Sequence, residues 1–304
     1  MPYLNCRNPT AKPAPALAQV RASRSQPRSD FVETPTGADD GSTAAVADQP
    51  LMSSGLAPVH VVVLAAGRGS RLGARGGETP KWLLEVNGRT LADRQLEGIR
   101  AAGDAVASVS VVVGHAADAI EEALARRSDD VEVVRNPEFL DLNNWWSLLR
   151  ALRQLPDDGP VLVMNADLLL DPLHVTAFIR AAAVADANDG LLAVDLERRL
   201  TDESMKVARA PDGTLQGIGK VAVPAPAGEY IGMLMARGRV LRATREVLES
   251  FVGRDEAANE WYEAAVGRTA ATGMWHVWPM PSTHWIEIDD DDDLESAYAL
   301  ARAT

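Results

Sequence analysis

The chain has 304 residues, 46% hydrophobic and 24% charged, with a formal net charge of −13, and this is ordinary globular composition. The acidic balance excludes a general nucleic-acid binder, whose affinity rests on neutralising phosphates, and no apolar run is long enough to span a membrane. The single cysteine, Cys6, excludes an intrachain disulfide and fits a reducing cytoplasm.

Residues 1–57 are rich in Pro, Ala, Ser and Gly and hold few large apolar side chains. They read as a disordered N-terminal tail, because such a stretch cannot offset its ordering entropy by burial. Arg7, Lys12, Arg21, Arg24 and Arg28 there balance Asp30, Glu33, Asp39, Asp40 and Asp48, so the negative charge belongs to residues 58–304. That length suits one α/β domain.

The apolar run at 59–65 predicts a first strand, and 91–102 an amphipathic helix with Leu91, Leu96 and Ile99 inward. A strand at 109–113, a helix at 116–127 and a short strand at 131–134 follow. Asn143 and Asn144 offer N-caps to a helix running on to Leu155, with Trp145, Leu148, Leu149 and Leu152 as its core stripe and Trp146 off it. A buried strand at 161–164 ends at Asn165-Ala166-Asp167. Beyond Leu191, strands at 191–194, 205–208, 215–221 and 230–235 precede a helical pair and then strands at 275–278 and 285–288. The alternation predicts the α/β class: a Rossmann-like mixed, mostly parallel sheet with helices on both faces and a small β-rich part. Ligands of open α/β sheets sit at the carboxyl ends of strands, so the loop at 66–71, Asp167 and Asp289 are placed to share one crevice.

The loop Gly67-Arg68-Gly69-Ser70-Arg71 is a candidate phosphate cradle. It is not a dinucleotide fingerprint, since Leu72 stands where a third glycine belongs. It is not a Walker loop either, since Lys81 lies between Pro80 and Trp82. On the glycines alone, a plain strand-to-helix turn that needs them only for their dihedrals is an equal alternative.

The wider stretch from Leu64 to Leu72, with Pro80-Lys81 nine residues after Arg71, resembles the signature of nucleotidyltransferases that activate sugar phosphates and small phosphorylated alcohols. Asn143-Asn144 with Ser147-Leu148, Ser204-Met205-Lys206-Val207, Ile218-Gly219-Lys220, Glu229-Tyr230-Ile231-Gly232, Asn259-Glu260-Trp261-Tyr262-Glu263, and Trp285-Ile286-Glu287-Ile288-Asp289 with Asp293-Leu294 are similar to elements of the bacterial CTP:phosphocholine cytidylyltransferases. They fall in family order across residues 59–300. Ala166 departs from the family's usual Gly-Asp, and Trp261 replaces a more usual tyrosine.

The resemblance implies the nucleotidyltransferase fold and transfer of CMP from CTP to a small phosphorylated acceptor. Phosphocholine, giving CDP-choline and pyrophosphate, is the first expectation. A phosphonate such as 2-aminoethylphosphonate, a sugar 1-phosphate, and a nucleotide-binding module without turnover are the alternatives. It further implies that Leu64, Ala65, Ala66, Gly67, Gly69 and Ser70 hold the triphosphate, and that Asn144 and Ser147 help to seat the nucleotide. Arg71 and Lys81 become the catalytic cations, and Asp167 and Asp289 the ligands of Mg²⁺. Lys220, Lys206 and Glu229 fall to the acceptor. Aromatic faces hold a quaternary ammonium well, so Trp146, Trp261, Tyr262 and Trp285 are expected to form its pocket with Glu287. The acceptor oxygen is already an anion, so the chemistry needs positioning and charge neutralisation rather than a general base. In the acidic run at 289–293, Asp290 to Asp292 are expected as a solvated turn and Asp293 as the cap of a helix from Leu294. The expected partners are CTP and a small phosphorylated or phosphonate acceptor, with no nucleic acid and no membrane insertion; a homodimer is compatible with the sequence.

Overall fold

The computed structural model describes residues 57–72, 79–157, 159–184 and 189–303. The tail expected over 1–57 lies, but for Ala57, outside the described residues. The run VHVVVLA forms β1 (Val59–Ala65), in which Val59, Val61, Val62 and Val63 are fully buried. β-branched residues buried on both faces suit a central parallel strand. A short hairpin, β2 (Glu85–Val86) and β3 (Arg89–Thr90), leads into α1 (Leu91–Ala101). Thr90 and Asp93 form a capping box at its start: Asp93 N–H donates to Thr90 Oγ1 (3.0 Å) and Thr90 N–H to Asp93 Oδ2 (2.8 Å).

β4 (Val106–Val113), α2 (Ala117–Ala125), β5 (Glu132–Arg135), α3 (Asn144–Leu152) and β6 (Val161–Asn165) continue the alternation. Strands β5, β4, β1 and β6 lie side by side and parallel, with Val63 opposite both Val111 and Met164. Side-chain alternation then sorts the core. Val61 and Val63 pack with Leu91, Leu96 and Ile99 of α1 on one face, and Val62 packs with Trp145 and Leu149 of α3 on the other.

The second half holds β7 (Leu168–Leu170), α4 (Pro172–Val184), β8 (Gly190–Asp195), β9 (Lys206–Arg209), β10 (Leu215–Gly219) and β11 (Gly228–Ala236). After these come α5 (Gly238–Glu249), α6 (Tyr262–Thr269), β12 (Trp275–Pro279), β13 (Trp285–Glu287) and α7 (Asp291–Ala303). β11 joins the sheet antiparallel to β6 and carries β9 and β8, while β12 runs parallel to β8. The expected mixed sheet results, with a parallel centre, helices on both faces and antiparallel additions. The pairing that matters most for the site is the small one between β13 and β7, which sets Glu287 opposite Leu168. Ile288 N–H then donates to the carbonyl of Asp167 (3.0 Å), so two segments more than a hundred residues apart meet at one sheet corner.

The acidic run differs from expectation. α7 begins at Asp291, and Asp290 is its cap, its Oδ1 accepting from the N–H groups of Asp292 and Asp293 (3.0 Å each). Asp293 reaches back to the N–H groups of Asp289 (2.9 Å) and Asp290 (3.2 Å), so the two carboxylates satisfy reciprocal orphan donors. Among the described residues no helix is long and apolar enough to cross a membrane.

Candidate active site

A cleft of about 620 Å³ opens over the carboxyl ends of β1 and β6. Leu64, Ala65, Ala66, Gly67, Gly69 and Arg71 form one wall, and the side chain of Ser70 lies outside the described ones. Gly69 has φ +59°, and a Cβ there would stand 3.0 Å from Lys81 Cγ. Glycine therefore permits the left-handed turn and lets the lysine stem pass beside the loop.

Lys81 opens a single 3-10 turn after Pro80, closed by Leu84 N–H donating to the Lys81 carbonyl (3.0 Å). The next residue, Trp82, is buried and donates its Nε1–H to Gln95 Oε1 (2.9 Å), which commits Lys81 to the cleft side. Gln95 is itself fully buried and donates through Nε2 to the carbonyls of Asn165 (3.0 Å) and Leu168 (2.8 Å). One side chain thus braces both the lysine turn and the Asn165-Ala166-Asp167 turn. Ala166 adopts a negative φ, so its methyl brings no left-handed strain to that turn.

Between these braces the charges converge. Lys81 Nζ donates to Asp289 Oδ1 (2.6 Å) and Asp167 Oδ2 (3.1 Å), and Arg71 donates to Asp289 Oδ2 (2.8 Å). Burial would depress the Lys81 ammonium, but Asp167 and Asp289 outweigh it and hold its pKa above that of an ordinary lysine. Burial likewise opposes ionisation of Asp289, and Lys81 with Arg71 overcomes it and lowers that pKa. Glu287 completes the group: one carboxylate oxygen each from Asp167, Glu287 and Asp289 lies within 4.8 Å of the others. The protein packed around Glu287 raises its pKa, and the neighbouring Asp167 and Asp289 push it further up. Asp167 Oδ1 is buried with no hydrogen-bond partner. Three hard oxygen donors, one of them unpaired, fit Mg²⁺.

Of the residues expected to seat the nucleotide, Asn144 and Ser147 both line the cleft. Each also has a structural engagement: Asn144 Oδ1 accepts from Tyr262 N–H (2.9 Å), and Ser147 Oγ accepts from Asn136 Nδ2 (2.9 Å). Asn143 caps α3 and donates to the carbonyl of Asn259 (3.1 Å), so the two asparagines tie α3 to the segment that carries Trp261.

The acceptor residues fare unevenly. Lys220 lines the cleft, paired with Glu203 (3.0 Å) and with Nζ 5.3 Å from the ring centre of Trp261. Trp261 is 40% exposed in the cleft wall. Glu229 is there too, its pKa raised by burial. Lys206 is not in the wall; it donates to the backbone carbonyl of Lys220 (2.9 Å) and ties β9 to the chain after β10. Trp146 stays outside the cleft, because it faces outward from α3 beneath Arg150 and Arg153 and donates to Glu138 (3.1 Å). Tyr262 is fully buried, its hydroxyl engaged with Tyr230 (2.9 Å) and Asn165 Oδ1 (3.1 Å). Trp285 is 2% exposed, donates to Asp195 (2.9 Å), and has the Arg198 guanidinium 4.0 Å from its ring centre. Only Trp261 of the four expected aromatics therefore presents substantial surface to the cleft, and Glu287 stands with the aspartates rather than with a cage.

Sequence reasoning missed Gln95, Asn165, Arg198 and Glu263. Asn165 is held against Gly232, where φ is +85° and a Cβ would stand 2.8 Å from Asn165 Nδ2. Glu263 lines the cleft although it is only 6% exposed, and burial raises its pKa to about 7 against a hydrogen bond from Asn144. Its place in the Asn259-to-Glu263 motif was the available signal.

A glycine loop, a convergent lysine and a carboxylate cluster thus meet at the carboxyl edge of a parallel sheet. Residues 61–265 match the MobA-like NTP transferase domain family, and the chain belongs to that family, within the nucleotidyltransferase superfamily expected from the motifs. Over 251 residues, 79% of this chain, it is 31% identical to the CMP-5'-(3-aminopropyl)phosphonate synthase of Streptomyces rubellomurinus, covering 38% of that protein. It is also 32% identical over 116 residues to a 2-aminoethylphosphonate cytidylyltransferase of Lancefieldella rimae, covering 38% of this chain and 46% of that one. The chain thus spans less than half the length of these curated relatives. The CTP:phosphocholine cytidylyltransferase structure from Streptococcus pneumoniae shares the fold, with a TM-score of 0.64 and 19% identity over 80% of this chain and 99% of that one.

Proposed function

We propose that the chain is a metal-dependent cytidylyltransferase that transfers CMP from CTP to a small phosphonate or phosphate acceptor. The observation that carries this reading is the meeting of Lys81 and Arg71 with Asp167 and Asp289 beside the glycine loop. In the reaction an anionic acceptor oxygen forms a bond to the α-phosphorus. The bond from that phosphorus to the bridging oxygen breaks, and its electron pair leaves with pyrophosphate. No proton has to be removed from the nucleophile. The obstacle is repulsion between two polyanions, which a fixed ammonium and guanidinium relieve without reorganisation.

In this reading Lys81 neutralises charge at the α-phosphate and Arg71 along the triphosphate, while the loop's N–H groups orient its oxygens. Asp167, Asp289 and Glu287 would hold Mg²⁺, which when bound neutralises and aligns phosphate oxygens. CTP as donor is supported by the two cytidylyl-transferring relatives. Both of those relatives carry phosphonates in their names, so a phosphonate acceptor takes precedence over phosphocholine, which rested on motif resemblance and on an expected pocket of four aromatic side chains. The test is pyrophosphate release from CTP, UTP, dTTP, ATP and GTP with 2-aminoethylphosphonate, phosphocholine, inositol phosphate and glucose 1-phosphate. Release confined to CTP with a phosphonate or phosphoalcohol is expected; release from UTP or dTTP with glucose 1-phosphate would replace the proposal by a sugar-activating one.

A further inference from the structure

Two kinds of carboxylate hold cations in the cleft. Arg71 and Lys81 pair with Asp289 and Asp167, which lie just past strand ends, are 25% and 22% exposed, and belong to the cluster that fits a metal. Lys220 instead donates to Glu203 (3.0 Å), on the loop between β8 and β9, whose side chain is 78% exposed. Both members of this pair line the cleft. Among the described residues the Glu203 carboxylate has no second hydrogen-bond partner. The backbone around it, by contrast, is pinned. Lys206 Nζ donates to the carbonyl of Lys220 (2.9 Å) and reaches the carbonyls of Asp202 and Ser204 (3.4 Å each), one on either side of Glu203. The hydrogen bond from Lys220 lowers the Glu203 pKa and Arg71 adds to the fall, so this carboxylate lies in the field of a second cleft cation. Glu203 is thus fixed at its root, free at its tip, and set against a cation of the cleft wall.

We propose that Glu203 is a placeholder anion: in the empty cleft it occupies the subsite of the acceptor's phosphonate or phosphate group beside Lys220, and that group displaces it on binding. This rests on the cytidylyltransferase reading. A cleft that gathers two polyanions needs its cations presented before substrate arrives, and a lone ammonium on a long stem samples many rotamers. The Glu203 carboxylate and the face of Trp261, 5.3 Å from Nζ, hold it in place. Acceptor affinity is lowered in exchange, since an incoming anion must first break the pair. The reduction is small, because an ion pair so open to water is weakly held, and the same weakness makes displacement possible. Asp167 and Asp289 cannot serve in this way, because as metal ligands they stay in place when substrate binds. Glu203 takes no part in bond making, so it acts on binding and not on the chemical step.

The test is steady-state kinetics of the full-length chain with CTP and Mg²⁺. The acceptor is 2-aminoethylphosphonate, and its competitor is ethylphosphonate, which has no ammonium for Glu203 to attract. In Glu203→Gln the acceptor KM and the ethylphosphonate inhibition constant should each fall by about two- to fivefold, with kcat unchanged. On a Lys220→Met background the same substitution should move neither constant, because the pair it breaks is already gone. Either constant staying level or rising in Glu203→Gln overturns the proposal, as does a fall that persists without Lys220 or an effect confined to the KM for CTP. In each of those cases the parent still transfers CMP, so the cytidylyltransferase reading stands. A parent that transfers CMP to no phosphonate or phosphate overturns that reading and the placeholder with it.

Discussion

Replacing Lys81 by methionine keeps the stem and removes the charge, and its consequences divide cleanly. The ammonium lies 2.6 Å from Asp289 and 3.1 Å from Asp167, with its side chain 14% exposed against 25% and 22% for theirs. At an effective dielectric of about 20, unit charges 4 Å apart interact by about 4 kcal/mol, so this is one of the largest local terms in the cleft. Loss of one preorganised group at a reacting centre costs about 2.7–4 kcal/mol, or about 10²–10³-fold in kcat. The folded state loses less, because water reaches the two aspartates: about 1–3 kcal/mol, or several degrees in Tm. Relieved of their cation, the three carboxylates should bind Mg²⁺ more tightly without nucleotide, so Mg²⁺ should raise the Tm of Lys81→Met more than that of the parent. Steady-state pyrophosphate release and thermal melts with and without Mg²⁺ read both effects. A folded variant within threefold of the parent kcat/KM, or equal Mg²⁺ shifts in the two proteins, would refute the reasoning.

Asp167→Asn and Asp289→Asn should each abolish Mg²⁺-dependent turnover, while Asp291→Asn, an exposed residue of the same acidic run, should leave kcat/KM unchanged; equal losses from all three would contradict the division. Asp290→Ala removes the α7 cap and should cost about 1 kcal/mol in urea unfolding, with no loss expected if the run were only a solvated turn. Burial opposes ionisation of Asp93, but the Thr90 N–H and the Arg127 guanidinium hold its pKa down at about 2. A carboxylate whose folded pKa is depressed contributes stability above its unfolded value of about 4 and loses it as pH falls toward the folded value. Asp93→Asn should therefore be less stable than the parent by about 1 kcal/mol at neutral pH, with the gap shrinking between about pH 4 and pH 2. A gap that does not change with pH would show that the capping geometry, not the charge, is responsible.

The parallel half of the fold was legible because its signals are local: six consecutive apolar residues, Val61 to Ala66, before a glycine loop, then helices with one apolar stripe. Lys81, Asp167 and Asp289 were legible through motif spacing, although only the β7–β13 pairing explains why they touch. That strand and the helix after it escaped notice for physical reasons. Leu168-Leu169-Leu170 is too short to show a period, and α4 buries Val175, Phe178, Ile179 and Ala182 on a broad apolar surface rather than a sharp stripe. The aromatics failed differently. A motif says that a tryptophan is present but not which side of its backbone faces the cleft. Trp146 turns outward because Trp145 takes the inward position of α3, and Tyr262 is drawn in by Tyr230 and Asn165. Gln95 was invisible because its role comes from two carbonyls and an indole that are distant in sequence.

Transfer of CMP to a phosphonate creates a new phosphoanhydride, which phosphorus NMR of a single reaction mixture detects. With CTP, Mg²⁺ and 2-aminoethylphosphonate, the CTP resonances and the acceptor's phosphonate resonance are expected to decline together. They should be replaced by a mutually coupled phosphonate–phosphate pair and by free pyrophosphate in equal amount. CTP that stays intact, or that breaks down to CMP and pyrophosphate while the phosphonate resonance stays where it was, would contradict it.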